Sequence, residues 1–235
     1  MTRIKREKPG IVRRVIKACV LFLGLFLVFS ILQVAALRFV NPPFTGTMIS
    51  SWVADKMAGR EAQWPDPEWR PLRKISPHLK RSVLAGEDQR FTAHNGFDLV
   101  EMNQAFQDVL TGGRVRGAST ITMQVARTVF LWPGRSLARK SLEAYYTVLI
   151  EVFWSKKRIL EVYLNTVDWG KDVVGAEMAS KKYFQTNASY LTAEQAALLA
   201  AVLPSPHQWS PEHPTEYVWE RQRRILGDMR KMPLL

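Results

Sequence analysis

Leu79-Lys80-Arg81-Ser82-Val83-Leu84-Ala85-Gly86-Glu87-Asp88-Gln89-Arg90-Phe91, stepped around a helix at about 100° per residue, puts Leu79, Val83, Leu84 and Phe91 on one apolar side and projects Glu87 from its middle. Asp88 falls toward the rim of the same face, where a solvated or salt-bridged acid is expected. An inward carboxylate is costly unless hydrogen-bonded, and partial desolvation raises its pKa toward values useful for moving protons. Glu87 is therefore the first candidate for a catalytic residue. The competing reading ties it to backbone amides or to Arg90 as a structural group.

Helical patterns extend outward from this stretch. Ser76-Pro77 supplies an N-cap followed by a proline suited to the first helical position. Leu99, Met102, Phe106, Val109 and Leu110 keep helical spacing and stop at Gly112-Gly113. Leu137 to Trp154 is a longer amphipathic pattern, and Ser155 caps another expected helix through Leu164. Thr192-Ala193-Glu194-Gln195 has capping-box spacing, and a last helix runs from Tyr217 to about Met229. Strand alternation is scarce. The expectation is one mostly α domain over residues 77–235.

Toward the N-terminus, Ala18 to Leu37 holds twenty uncharged residues, enough to span roughly 30 Å of hydrocarbon. A cleaved signal has a shorter apolar run and a small-x-small site, whereas Val34-Ala35-Ala36-Leu37 is a poor one, so residues 18–38 are read as an uncleaved anchor. Residues 1–17 carry seven cations and one acid, half of the chain's net +12, and the positive-inside rule keeps this basic tail cytoplasmic and sends the rest across the membrane. A basic tail beside an anionic leaflet needs no nucleic acid to explain it. Residues 39–76, with Pro42-Pro43, Trp52, Trp64, Pro65, Pro67, Trp69 and Pro71, read as an irregular connecting segment whose tryptophans suit a membrane interface or ordinary packing equally. The lone Cys19 excludes an internal disulfide framework and a Cys-rich zinc site.

Three further groups carry chemical interest. Glu143 lies on the polar side of its helix, four residues after Arg139 and three after Lys140, which keeps it ionised; on spacing alone this is a surface salt-bridge cluster. Lys156, in a first turn and aligned with Ile159, Leu160 and Tyr163, is unfavourable twice over, which an anionic ligand relieves and a snorkelling side chain also explains. Gly117-Ala118-Ser119-Thr120-Ile121-Thr122-Met123-Gln124 leads from a glycine turn into a short helix whose amides and hydroxyls suit an anion. A Walker loop fails because Ala118 replaces its lysine, a nucleophile elbow fails at Ile121, and four scattered histidines make no zinc helix.

In chain order, Glu87-Asp88-Gln89-Arg90-Phe91-Thr92-Ala93-His94-Asn95-Gly96, Gly117 to Gln124, Arg139-Lys140-Ser141-Leu142-Glu143, and Lys156-Lys157-Arg158-Ile159-Leu160-Glu161-Val162-Tyr163-Leu164-Asn165 resemble the successive motifs of the peptidoglycan glycosyltransferases of family 51. With one anchor and no penicillin-binding domain after Leu235, a monofunctional member is expected.

The resemblance implies a lysozyme-like helical fold with a large lobe and a small membrane-proximal jaw. It implies a single-pass inner-membrane protein with a periplasmic catalytic domain, and polymerisation of lipid II onto a growing lipid-linked glycan. It makes Glu87 the general base, with Asp88, Phe91, His94 and Gly96 completing the first motif. Ser119, Thr120 and Gln124 line the donor cleft. We assign Arg139, Lys140 and Lys156 to the pyrophosphates, with Glu143 either orienting those cations or holding a divalent Mg2+ or Mn2+ ion; no organic cofactor is implied. Arg127 stands where the family pattern has lysine, and Met123 where it has glutamine. Glu161 and Asn165 take structural roles. Cell-wall synthesis or division proteins are the implied protein partners. The rival readings are a lysozyme-like lytic enzyme and an inactive membrane-anchored scaffold.

Overall fold

The computed structural model describes residues 10–61, 68–112, 119–134 and 136–235, which fall into two units, one ending at Val40 and one spanning Asn41–Leu235. The basic tail before Gly10, the tryptophan-proline stretch at 62–67 and the glycine turn at 113–118 lie outside the described residues.

The first unit is a single helix, α1 (Ile11–Leu37). It starts at Ile11 rather than Ala18, so Arg13, Arg14 and Lys17 ride on its opening turns. Its 27 residues reach about 40 Å at 1.5 Å per residue, and its length and composition are those of a membrane-crossing helix. Phe22, Phe29 and Leu32 stand exposed along it, as lipid-facing side chains do.

The second unit is helical. α2 (Gly46–Met57) forms inside the segment expected to be irregular, because Thr45 caps it by accepting from the Met48 amide at 3.2 Å. A Cβ on Gly46 would collide with the Leu131 carbonyl, so only glycine lets this end approach so closely. α3 (Pro77–Glu87) begins with the Ser76 cap and Pro77 as expected, but ends at Glu87, four residues early. α4 (Leu99–Leu110), capped by Asp98 at the Val100 and Glu101 amides, has the anticipated period yet buries none of its residues.

The remaining elements are α5 (Ile121–Phe130), α6 (Leu137–Phe153), α7 (Lys156–Thr166), α8 (Ala176–Phe184), α9 (Ala193–Val202) and α10 (Glu216–Asp228). α8 was not anticipated. The capping box at Thr192 and Gln195 forms both of its bonds. Among the described residues there is no strand, only the single bridge between Asp168 and Val174.

α9 is apolar all round, buried from Ala196 through Val202, and is the axis of the core. α3 and α10 pack on it, while α5 packs on α6 and α7. Trp169, fully buried, spends its only donor on the Leu199 carbonyl at 3.1 Å. This helical unit fits a lysozyme-like fold.

Candidate active site

Glu87 is the last residue of α3, turned toward α5 and α10. Gln124 Nε2 donates to its Oε2 at 3.1 Å, and Arg221 Nη2 donates to its Oε1 at 3.1 Å. The Gln124 amide is fixed in turn by the buried Tyr163 hydroxyl, which donates to Gln124 Oε1 at 3.3 Å. Burial pushes the Glu87 pKa up, and the opposing pull of Arg221 and Gln124 is smaller. Its side chain keeps 12% of its surface exposed and each oxygen has an unused lone pair, so the acid is held without being sealed. Among the described residues neither Arg90 nor a backbone amide holds it; Arg90 faces Asp98 at 3.4 Å.

Asp88 departs from the rim expectation, because it leaves the helix and is buried. Its Oδ1 lies 2.9 Å from His94 Nε2, and its Oδ2 accepts from the Ile121 amide at 3.0 Å. Phe91 is buried and meets the His94 ring edge-on. Gly96 has φ 89°, and a Cβ there would meet Thr147 Cγ2 at 2.6 Å. The Gly96 carbonyl accepts from the Thr120 hydroxyl at 2.6 Å.

Those bonds revise the anion expectation for residues 119–124. Asp88 takes the Ile121 amide, and Thr120 Oγ1 takes the Met123 amide at 3.2 Å, so this helix start is already capped. Thr120 is buried as a cap, Ser119 stays partly exposed, and Gln124 alone of the three reaches the acid.

Glu143 is the largest correction. It is fully buried, not on a solvent face, and its two oxygens accept from Arg139 Nη1 at 3.0 Å and Lys140 Nζ at 2.6 Å. It shares the buried face of α6 with Arg139, Tyr146, Thr147 and Ile150. Arg139 also lines a cavity of about 350 Å3 with Thr47, Arg127, Pro133 and Gly134. Arg139 Nε is buried and has no partner among the described residues. Two arginines line this cavity, which gives it the charge an anion would need. A divalent cation does not fit at Glu143, because both oxygens already face fixed positive charges and the side chain is closed to solvent. The donor set supports the orienting role.

Lys156 is also relocated. Its Nζ donates to Glu151 Oε1 at 2.8 Å and sits 4.5 Å from the Phe91 ring centre. Thr122 donates to the same Glu151 oxygen at 2.5 Å. The anion beside Lys156 is an internal glutamate, which accounts for the position of this lysine without a pyrophosphate. Lys156→Ala leaves the buried Glu151 without its cation and is expected to cost about 2 kcal/mol, read as a lower urea midpoint, with substrate affinity nearly unchanged. A large affinity loss at unchanged stability would restore the pyrophosphate role.

Glu161 and Asn165 pin the entering chain to α7. Asn165 exchanges bonds with the Arg70 amide and carbonyl at 2.7 and 2.9 Å, and Glu161 accepts from the Leu72 amide at 2.8 Å.

The decisive geometry runs along α5. Gln124 touches Glu87, and Arg127, three residues on, lines the basic cavity. Side chains three apart share a helix face with Cβ atoms about 5–6 Å apart. The helix that holds the acid thus also contributes an arginine to the cavity. The transglycosylase family pattern matches residues 54–230, which takes in every residue of this constellation outside α1 and residues 41–53. This chain belongs to the transglycosylase family.

Transglycosylases named "Biosynthetic peptidoglycan transglycosylase" align along most of it. That of Pseudomonas syringae pv. syringae (strain B728a) is 48% identical over 223 residues, covering 95% of this chain and 92% of that protein. That of Stutzerimonas stutzeri (strain A1501) is 49% identical over 203 residues, covering 86% and 84%. That of Caulobacter vibrioides (strain ATCC 19089 / CIP 103742 / CB 15) is 45% identical over 215 residues, covering 91% of each. In this transglycosylase, sequence reading missed Arg221, Tyr163 and Glu151. Tyr163 and Glu151 lie in patterns already read as helical; Arg221 gave no local signal.

Proposed function

We propose that this protein polymerises lipid II into β-1,4-linked glycan strands. The observation that carries the reading is α5, which holds Gln124 against Glu87 and Arg127 in the basic cavity on one helix face. The acceptor is the 4-hydroxyl of an incoming lipid II, and the donor is the growing glycan on its polyprenyl pyrophosphate. The acceptor oxygen attacks the donor's anomeric carbon while Glu87 takes the hydroxyl proton. The bond from that carbon to pyrophosphate oxygen breaks, its electron pair leaves with the phosphate, and the α linkage becomes β.

A pyrophosphate leaving group needs its growing negative charge neutralised more than it needs a proton. Arg127 and Arg139 supply that charge from the cavity, and Glu143 with Lys140 fixes the Arg139 guanidinium. No step requires a metal ion at Glu143. Ser119 is assigned to the edge of the donor cleft.

The apolar α1 makes the protein a single-pass membrane candidate, and its flanking charges support an inner-membrane orientation with the N-terminus in the cytoplasm and the catalytic unit in the periplasm. Both substrates stay in the same bilayer, so tethering raises their effective concentration at the cleft. Cell-wall synthesis and division proteins are the proposed protein partners. Incubating the full-length protein in detergent with lipid II, and separately with finished glycan, tests the reading. Lipid II is expected to become polymer while finished glycan stays intact; cleavage of finished glycan alone would make this a lytic enzyme.

A further inference from the structure

α10 contributes the one cation that touches the candidate base among the described contacts, and it does so from 134 residues away in the chain. Arg221 Nη2 is shared between the Glu87 carboxylate at 3.1 Å and the Gly86 carbonyl at 2.9 Å. The same nitrogen therefore grips the side chain of the base and the backbone that carries it. Gly86 makes room for this grip: a Cβ there would lie 3.2 Å from Ile225 Cδ1, also on α10, and 3.7 Å from Arg221 Nη2. The approach of α10 to the end of α3 is close, and a larger residue at position 86 would push it back. Arg221 Nε is buried and has no partner among the described residues.

We propose that Arg221 is the positioning residue of this site: it fixes the rotamer of Glu87 and holds its carboxylate ionised, ready to receive a proton. The inference rests on the polymerase reading for the identity of the reaction and deepens it by adding α10 to the active site. A carboxylate that is to act as a base must first be charged, and burial works against that charge. The groups facing Glu87 are Arg221 from α10, Gln124 from α5, Tyr163 from α7 and its neighbour Asp88. Asp88 disfavours a second negative charge, and burial keeps the Tyr163 phenol protonated far above neutral pH. Gln124 donates a hydrogen bond but brings no charge, and Arg127 acts from further along α5 through its field on Tyr163. Arg221 is thus the cation in direct contact that offsets desolvation.

An arginine beside a carboxylate lowers its pKa by about 1–3 units, so removing it moves the Glu87 pKa upward. The acidic limb of kcat/KM against pH should then shift to higher pH by about one unit or more in Arg221→Gln, with the rate recovering as pH rises above the new limb. KM for lipid II should change little. Arg221→Lys, which returns the charge but loses the shared geometry, should return the limb toward its original position and recover part of kcat.

The experiment measures lipid II polymerisation by the full-length protein, wild type and both variants, from pH 5 to 9, with thermal unfolding of each. A purely structural Arg221 would lower Tm and reduce the rate by one factor at every pH, or raise KM; either pattern overturns the proposal, as does an unmoved acidic limb in a folded variant. Should Arg221→Gln fail to fold, Arg221→Lys decides alone: a shifted limb or a pH-dependent kcat loss at constant KM and unchanged Tm supports positioning, and wild-type behaviour throughout, or a uniform loss with a lowered Tm, overturns it. Wild-type protein inactive on lipid II would instead sink the polymerase reading, which this comparison keeps separate.

Discussion

Glu87→Gln should lower the rate of lipid II polymerisation by about 10²- to 10⁴-fold, the usual contribution of a positioned general base. The substitution keeps the shape of the side chain and its acceptor for Arg221 or Gln124, so the fold should survive. What it removes is a proton acceptor partly open to the cleft and bracketed by donors that define its direction. Burial pushes the Glu87 pKa up, so the wild-type rate should fall with pH earlier than for an ordinary carboxylate, as the base takes up a proton and can no longer accept one. Initial rates across pH, with circular dichroism to establish folding, check both statements. A variant that keeps its rate within about threefold would remove Glu87 from the chemistry.

Glu143→Gln should do two kinds of damage. The carboxylate is fully buried and takes one bond from Arg139 and one from Lys140, so neutralising it strands a nearly buried guanidinium. Breaking such a pair by removing one partner costs about 3 kcal/mol, at the low end because Lys140 is half exposed and can turn to water. For a domain of this size that corresponds to a fall in Tm of roughly 6–12 °C. Polymerisation should also fall strongly, because Arg139 loses the anchor that aims it into the cavity. Binding of a lipid-linked pyrophosphate should fall less than in Arg139→Ala, since the variant retains the cation and loses only its orientation. Equal binding losses, or an unchanged Tm, would contradict this description of the cluster.

The sequence made the acid legible and hid what surrounds it. Apolar spacing over residues 79–91 turned Glu87 inward because a carboxylate in an apolar stripe is a local anomaly. The Ser155 cap and the Thr192–Gln195 box were readable for the same reason: both are contacts within one turn. Burial of Glu143 was not readable. A helical wheel ranks faces by apolar content, whereas the buried face of α6 takes in Arg139 and Glu143 together with Tyr146, Thr147 and Ile150. Asp88 was misplaced because α3 stops short: its carboxylate is drawn off by the Ile121 amide and by His94, neither of which helical spacing can foresee. Lys156 was given an external ligand because its true partner, Glu151, sits across the break between α6 and α7, outside the spacings that link side chains within one helix. α2 was lost in a stretch whose prolines and tryptophans dominate its composition, although the Thr45 cap was present in the sequence. Arg221 is one of several cations on a polar helix, and only tertiary packing singles it out.

The pairing of α3 with α9 and α10 sets an order of events during biogenesis. The segment bearing Glu87 is synthesised long before the two segments that pack on its helix, and contacts separated by this much chain close late. A nascent polypeptide halted before residue 216 would carry Glu87, Gln124 and the basic cavity and still leave Glu87 without its contact to Arg221. The proposed base is therefore complete only once α10 has joined the fold.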